Sequence, residues 1–301
     1  MKNSFFPYGN AICYSGYRTG QRPGVAYPSY QEVLEDLIIL QGHWQYLRLY
    51  DCTPHADVVL QVIRQEQLPV KVMLGAYIEA EINNPQCPWG GIHDESVLRK
   101  NRTRNEMEIQ RLITLAHKYK DIIIAVSVGN EATVDWNDHM VPVERVVQFA
   151  RQVKAAVTQP VTFCENYVPW IGKLAPLVDV VDFISIHTYP EWEQKPIVQA
   201  LDYTKENYYL VANHYPDKPV VITEAGWTTA SNGRGIPPDL ASEENQKQYI
   251  NELMAWSAQM GIVTFVFEAF DEAWKGSDDP LEPEKHWGLY SADRKPKLVV
   301  K

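Results

Sequence analysis

Short runs of β-branched and other apolar residues recur along the chain, and stretches with helical spacing of their apolar positions lie between them. The runs Ala11–Tyr14, Tyr46–Leu49, Val70–Leu74, Ile122–Val128, Val161–Cys164, Phe183–Ile186, Val220–Thr223 and Val263–Phe267 predict eight strands. Glu32–Gln41 carries Val33, Leu34, Leu37, Ile38 and Ile39, and Val143–Val157 carries Val146, Val147, Phe149, Ala150 and Val153. Both predict helices with one apolar face. The apolar stretch in Ile122–Val128 suits a parallel strand covered on both sides. Eight such alternations predict an α/β chain folded as one (β/α)8 barrel, a single domain over residues 1–301. The other architecture weighed is an open doubly wound sheet. It normally shows a glycine-rich phosphate turn after its first strand, and no G-x-G-x-x-G occurs here.

The barrel reading directs attention to polar residues at the C-terminal ends of the strands, where this fold places its active sites. Arg48, Tyr50 and Asp51 stand there for the second strand, and Asn130 and Glu131 for the fourth. His187 and Tyr189 follow the sixth, Glu224 and Trp227 the seventh, and Glu268, Asp271, Glu272, Trp274 and Lys275 the eighth. Glu131 and Glu224 are far apart in sequence, yet both are expected at the same barrel mouth. Two glutamates in different surroundings can supply the proton and the carboxylate that glycosidic bond cleavage requires. A glutamate after a strand is also an ordinary salt-bridge partner, so the pair carries more weight than either alone. Asn130 is placed to reach a sugar 2-hydroxyl, Tyr189 to donate to a nucleophile, and Lys275 to favour ionisation of nearby acids.

These segments resemble glycoside hydrolase family 17, the β-1,3-glucanase family of retaining (β/α)8 glycosidases, over nearly the full length. Ile12-Cys13-Tyr14 with Gly16 looks like its first strand, and Leu47-Arg48-Leu49-Tyr50-Asp51 like its second. Val128-Gly129-Asn130-Glu131 is similar to the acid/base motif and Thr223-Glu224-Ala225-Gly226-Trp227 to the nucleophile motif. The run from Phe267 to Lys275, with His286-Trp287-Gly288-Leu289-Tyr290, looks like the closing segment. The resemblance implies Glu131 as acid/base and Glu224 as nucleophile, with support from Asn130, Tyr189, Glu272 and Lys275. It implies a β-glucan polysaccharide or oligosaccharide as substrate. Asp271 stands where plant members usually have Asn, and those members lack a tryptophan at Trp274, which points to the microbial branch. A transglycosylase with the same pair and a non-catalytic sugar-binding barrel are the alternatives.

Composition narrows the partners. With 38 acidic and 28 basic residues the net charge is −10, a poor match to nucleic acid or an anionic membrane. Hydrophobic residues at 45% and charged residues at 22% fit a globular chain with a large core. The chain is expected to act as a monomer without cofactor. The start Met1-Lys2-Asn3-Ser4-Phe5-Phe6-Pro7 lacks the apolar run of a secretory signal, which leaves an intracellular protein or one whose leader has been removed. Cys13, Cys52, Cys87 and Cys164 are scattered without C-x-x-C, against a zinc ribbon or a disulfide-dependent fold. The histidines show no H-E-x-x-H, so no catalytic metal is expected, and no G-x-S-x-G supports an esterase.

Aromatic faces stack on pyranose rings, and the cleft is expected to use Tyr50, Trp227 and Trp274, joined by Arg48 and Glu268. Trp136 and Trp192 are candidate outer platforms, whereas Trp44, Trp170 and Trp256 read as structural. Asn101-Arg102-Thr103 matches a glycosylation sequon, a short pattern that often occurs by chance. The long stretch between Tyr77 and Asn101, containing Cys87-Pro88-Trp89-Gly90-Gly91, is expected to control how open the cleft is, and Ser231–Gly235 reads as a turn-rich loop after the seventh strand, a surface loop first and a rim of the cleft second.

Overall fold

The computed structural model describes residues 7–301. The first six residues, and with them most of the N-terminal segment read above, lie outside the described residues. Eight parallel strands close in chain order into a barrel: β1 (Ala11–Cys13), β2 (Tyr46–Leu49), β3 (Lys71–Gly75), β4 (Ile123–Asn130), β5 (Val161–Asn166), β6 (Ile184–His187), β7 (Val220–Gly226) and β8 (Thr264–Phe267). This is the (β/α)8 barrel that the hydrophobic pattern predicts.

Helices cover the outside: α1 (Tyr30–Leu40), α2 (Pro54–Gln65), α3 (Glu95–Lys118), α4 (Val143–Ala156), the short α5 (Tyr167–Trp170) and α6 (Ala175–Val178), α7 (Ile197–His214) and α8 (Glu243–Met260). Their starts are marked in the sequence. Ser29 and Glu32 form a reciprocal capping box on α1, and Ser242 caps α8 by accepting from Asn245. After β8 the chain makes 3₁₀ turns at Pro283–Lys285 and Leu298–Val300, the latter packing on α8.

Two apolar layers follow from the two faces of the strands. Ala11, Cys13, Met73, Ala125, Cys164, Phe183, Val221 and Phe265 fill the barrel interior. Ile12, Leu47, Val72, Val126, Phe163, Ile186, Ile222 and Val266 point outward to the helices. Each fully buried aliphatic side chain contributes about 1.5–3 kcal/mol relative to exposure. The interior packing ends below the C-terminal rim, and there the polar residues begin.

Candidate active site

Irregularities in two strands lift the candidate glutamates out of simple alternation. The β4–β5 register shifts between Ser127 and Asn130, and the β7–β8 register between Ile222 and Ala225. Such bulges re-aim the side chains beyond them. Gly129 is required at the first, since a Cβ there would stand 2.8 Å from the Phe163 ring and 2.9 Å from Ile78. Gly226 is required at the second, where a Cβ would meet the Phe267 carbonyl at 2.1 Å.

Glu131 sits at φ 45°, in the left-handed region that a side chain disfavours. Its surroundings hold it there. Its N–H donates to Cys164 O at 2.9 Å, and its carbonyl accepts from Asn137 Nδ2. Two residues on, the backbone N–H and hydroxyl of Thr133 both donate to Glu165 Oε2, at 2.9 and 2.7 Å. Glu165 is fully buried, and burial and the Glu131 charge push its carboxyl up to about 7.

Glu224 lies at the centre of a donor cluster. Its Oε1 accepts from Arg48 Nη1 at 2.5 Å and Tyr50 Oη at 3.1 Å, and its Oε2 from Tyr189 Oη at 2.5 Å. Burial alone would raise its pKa. The charges of His187 and Arg48, with the bonds from Tyr189 and Arg48, outweigh that and hold it at about 2. Glu131 is more open, its side chain 26% exposed against 6% for Glu224. Arg48 Nη2 also donates to Asn130 Oδ1, which fixes the amide orientation and leaves its NH2 to serve another acceptor.

His187 joins the two acids. Its Nδ1 is 2.8 Å from Glu131 Oε1 and 3.5 Å from Glu224 Oε2. Burial disfavours its charge, but Glu224, Cys164 and Glu131 raise its pKa to about 10. One ligand atom from each of Glu131, His187 and Glu224 lies within 4.8 Å of the others, a spacing a metal ion could use. Glu224 is already paired there with the buried Arg48 guanidinium, whose positive charge opposes a second cation on the same carboxylate.

The third group belongs to the segment after β8. Lys275 Nζ lies 2.9 Å from Glu268 Oε2 and 2.6 Å from Glu272 Oε2. Glu272 Oε1 accepts from Ser15 Oγ at 2.6 Å and Trp274 Nε1 at 2.9 Å. Burial, with the adjacent Glu272, lifts the Glu268 carboxyl well above its ordinary range despite Lys275. Glu284 completes the ring of charge within electrostatic reach of Lys275, Glu131 and Glu224; burial is the main cause of its rise to about 7.

Thus Arg48, Tyr50, Asn130, Glu131, Tyr189 and Glu224 come together, with Glu268, Glu272, Trp274 and Lys275 linked beside them. Trp136 is 43% exposed on the β4 loop. Trp227 is a correction: it is fully buried against Tyr249 and donates Nε1–H to Leu240 O. The alternation that resumes beyond the bulge explains this, since β7 runs on to Gly226 and sends Glu224 inward but Ala225 and Trp227 outward. Trp192 packs on Trp287 and Gly235 rather than standing free. The sequon at Asn101 is buried, as a chance match can be: Asn101 is 4% exposed and donates to Ala80 O. All four cysteines are buried and unpaired. Ser15, Asn137, Glu165 and Glu284 escaped the sequence reading.

Residues 11–288 match the BtgE/BtgC glycoside hydrolase domain. The chain belongs to that family. A glucan 1,3-beta-glucosidase of Arthroderma benhamiae is 24% identical over 275 residues, covering 88% of this chain and 82% of that protein. A probable glucan endo-1,3-beta-glucosidase, btgC, of Aspergillus clavatus is 24% identical over 91% of this chain, which spans only 40% of that longer relative. Among solved structures, an endo-laminarinase from Formosa Hel1_33_131 superposes with a TM-score of 0.84 at 26% identity, covering 99% of this chain and 86% of that one. No helix among the described residues of this glycoside hydrolase is long and apolar enough to cross a membrane.

Proposed function

We propose that this chain is a retaining β-1,3-glucan hydrolase of the microbial family 17 type, working as a single catalytic domain over residues 1–301. The observation that carries the mechanism is the spacing of Glu131 and Glu224, whose oxygens approach within 4.8 Å. That is on the side of the about 5–5.5 Å typical of retention and well short of the about 6.5–9.5 Å that leaves room for water in inversion. The glucan substrate is supported by the relatives' names.

In this mechanism the ionised Glu224 attacks the anomeric carbon. The glycosidic bond breaks as Glu131 gives its proton to the leaving oxygen, leaving a glycosyl ester on Glu224. Glu131 then takes a proton from water, whose oxygen attacks the same carbon and releases Glu224, restoring the β-configuration. Arg48, Tyr50 and Tyr189 hold Glu224 ionised and aimed, and Asn130 offers its NH2 to the 2-hydroxyl.

Product analysis on laminarin, cellulose and xylan tests this with wild type, Glu131→Gln and Glu224→Gln. Short laminari-oligosaccharides from wild type alone are expected. Activity persisting in both variants would remove the catalytic assignment, and turnover of another glycan alone would remove the substrate. Products longer than a defined laminari-oligosaccharide supplied as substrate would shift the reading to transglycosylation.

A further inference from the structure

Two loop tips meet over the barrel mouth. The guanidinium carbon of Arg234, in the loop after β7, lies 5.7 Å from the ring centre of Trp89, in the loop after β3. In a barrel closed in the order β1 to β8, these strands stand diametrically opposite. The contact therefore spans the mouth from side to side.

Both ends of the span are anchored beside the catalytic pair. On the β3 side, Asn84 Nδ2 donates to Asp135 O at 2.9 Å and Asn137 O at 2.7 Å, and Cys87 Sγ reaches Trp136 O at 3.3 Å. Asn137 in turn holds the Glu131 carbonyl. On the β7 side, Arg234 Nη1 pairs with Glu282 Oε2 at 3.0 Å. Glu282 is 1% exposed and accepts from Ser277 Oγ at 2.6 Å, two residues before Glu284, which lies within electrostatic reach of both acids. Gly235 is packed on Trp192, where an added Cβ would stand 2.5 Å from the ring. Each arm is braced, whereas Trp89 is 57% exposed where it meets the Arg234 guanidinium.

We propose that Trp89 and Arg234 roof the cleft above Glu131 and Glu224, so that a glucan reaches the acids by threading a chain end rather than by laying down an internal segment. This rests on the β-1,3-glucanase reading above. The roof is a determinant of attack mode and has no part in bond cleavage.

The experiment compares wild type, Trp89→Ala, Arg234→Ala and Trp89→Phe on two substrates. Laminarihexaose, which has free ends, reports on the chemistry. A soluble high-molecular-weight β-1,3-glucan reports on entry, through the fall in viscosity per reducing end released. All four proteins are expected to cleave laminarihexaose at similar rates. On the polymer, the alanine variants are expected to lower viscosity about two- to fivefold more per reducing end, the weight of one exposed cation–π contact. Trp89→Phe keeps a ring for the guanidinium and should behave as wild type. Hexaose turnover with the same viscosity ratio in every protein would overturn the roof and leave the glucanase reading intact. No turnover of the hexaose by folded wild type would overturn that reading, and the roof with it.

Discussion

Glu165 grips Thr133 through one carboxylate oxygen that accepts both the backbone N–H and the hydroxyl. The grip lies two residues beyond Glu131 and stabilises a turn whose left-handed glutamate costs of order 1–3 kcal/mol. Glu165→Gln retains an acceptor and is expected to keep most activity. Glu165→Ala should lower kcat roughly 10–100-fold with KM little changed, because a small misplacement of the reacting group is felt mainly in the transition state. Steady-state kinetics beside circular dichroism checks this. A loss confined to KM, or a loss of fold, would rule out a positioning role for Glu165.

Tyr189 and Arg48 divide the two oxygens of Glu224 between them. Removing one hydrogen bond to a charged group costs about 1.5–3 kcal/mol, or roughly 10–150-fold. Tyr189→Phe should therefore slow formation of the glycosyl-enzyme by that factor, measurable with an activated aryl β-glucoside. Arg48→Met removes a buried cation as well, and its loss should be larger. Equal, negligible effects would mean Glu224 is not the group being tuned.

Glu191 predicts a pH effect on stability. It is fully buried, accepts only from Thr228 N at 2.6 Å through Oε2, and its Oε1 has no hydrogen-bond partner. Burial drives its pKa up to about 9, against the hydrogen bond from Thr228. The folded state thus holds a proton that the unfolded state releases above its ordinary carboxylate range. This destabilises the fold increasingly as pH rises from that range toward 9. Glu191→Gln has no such proton to hold. Its melting temperature should match wild type at pH ~5 and exceed it by several degrees at pH ~8. A difference independent of pH would contradict the assignment.

Asn101 gives a simple check of burial. Expression in a host that glycosylates sequons should leave the intact mass unchanged, since the amide nitrogen is spent on Ala80 O inside the fold. A sugar on Asn101 would require α3 to be packed differently. Asn101→Ala should cost about 1–3 kcal/mol in denaturant unfolding by leaving that buried carbonyl unpaired.

The barrel was legible because parallel strands buried on both faces must be apolar runs, and eight such runs are hard to mistake. Their ends were less so. Reading β4 to Val128 and β7 to Thr223 stopped before the bulges that carry Asn130 and Glu224, which lie within the strands. The same shortfall hid Glu165, because β5 was expected to finish at Cys164 and continues to Asn166. His187 appeared in sequence only as a residue at the end of the sixth strand. Only folding brings its Nδ1 between carboxylates from β4 and β7. Glu284 sits in a 3₁₀ turn with no periodicity to announce it.

Because Glu224 lies on β7 and Glu131 directly follows the β4 bulge, the distance between them is set largely by sheet register and by the few residues that brace the turn after β4. Residues can be inserted or removed around Trp89 or Arg234 without that distance having to be set again. Substrate range can then drift by exchange of rim segments while the reaction centre stays as it is, which makes this scaffold a natural recipient for grafted loops.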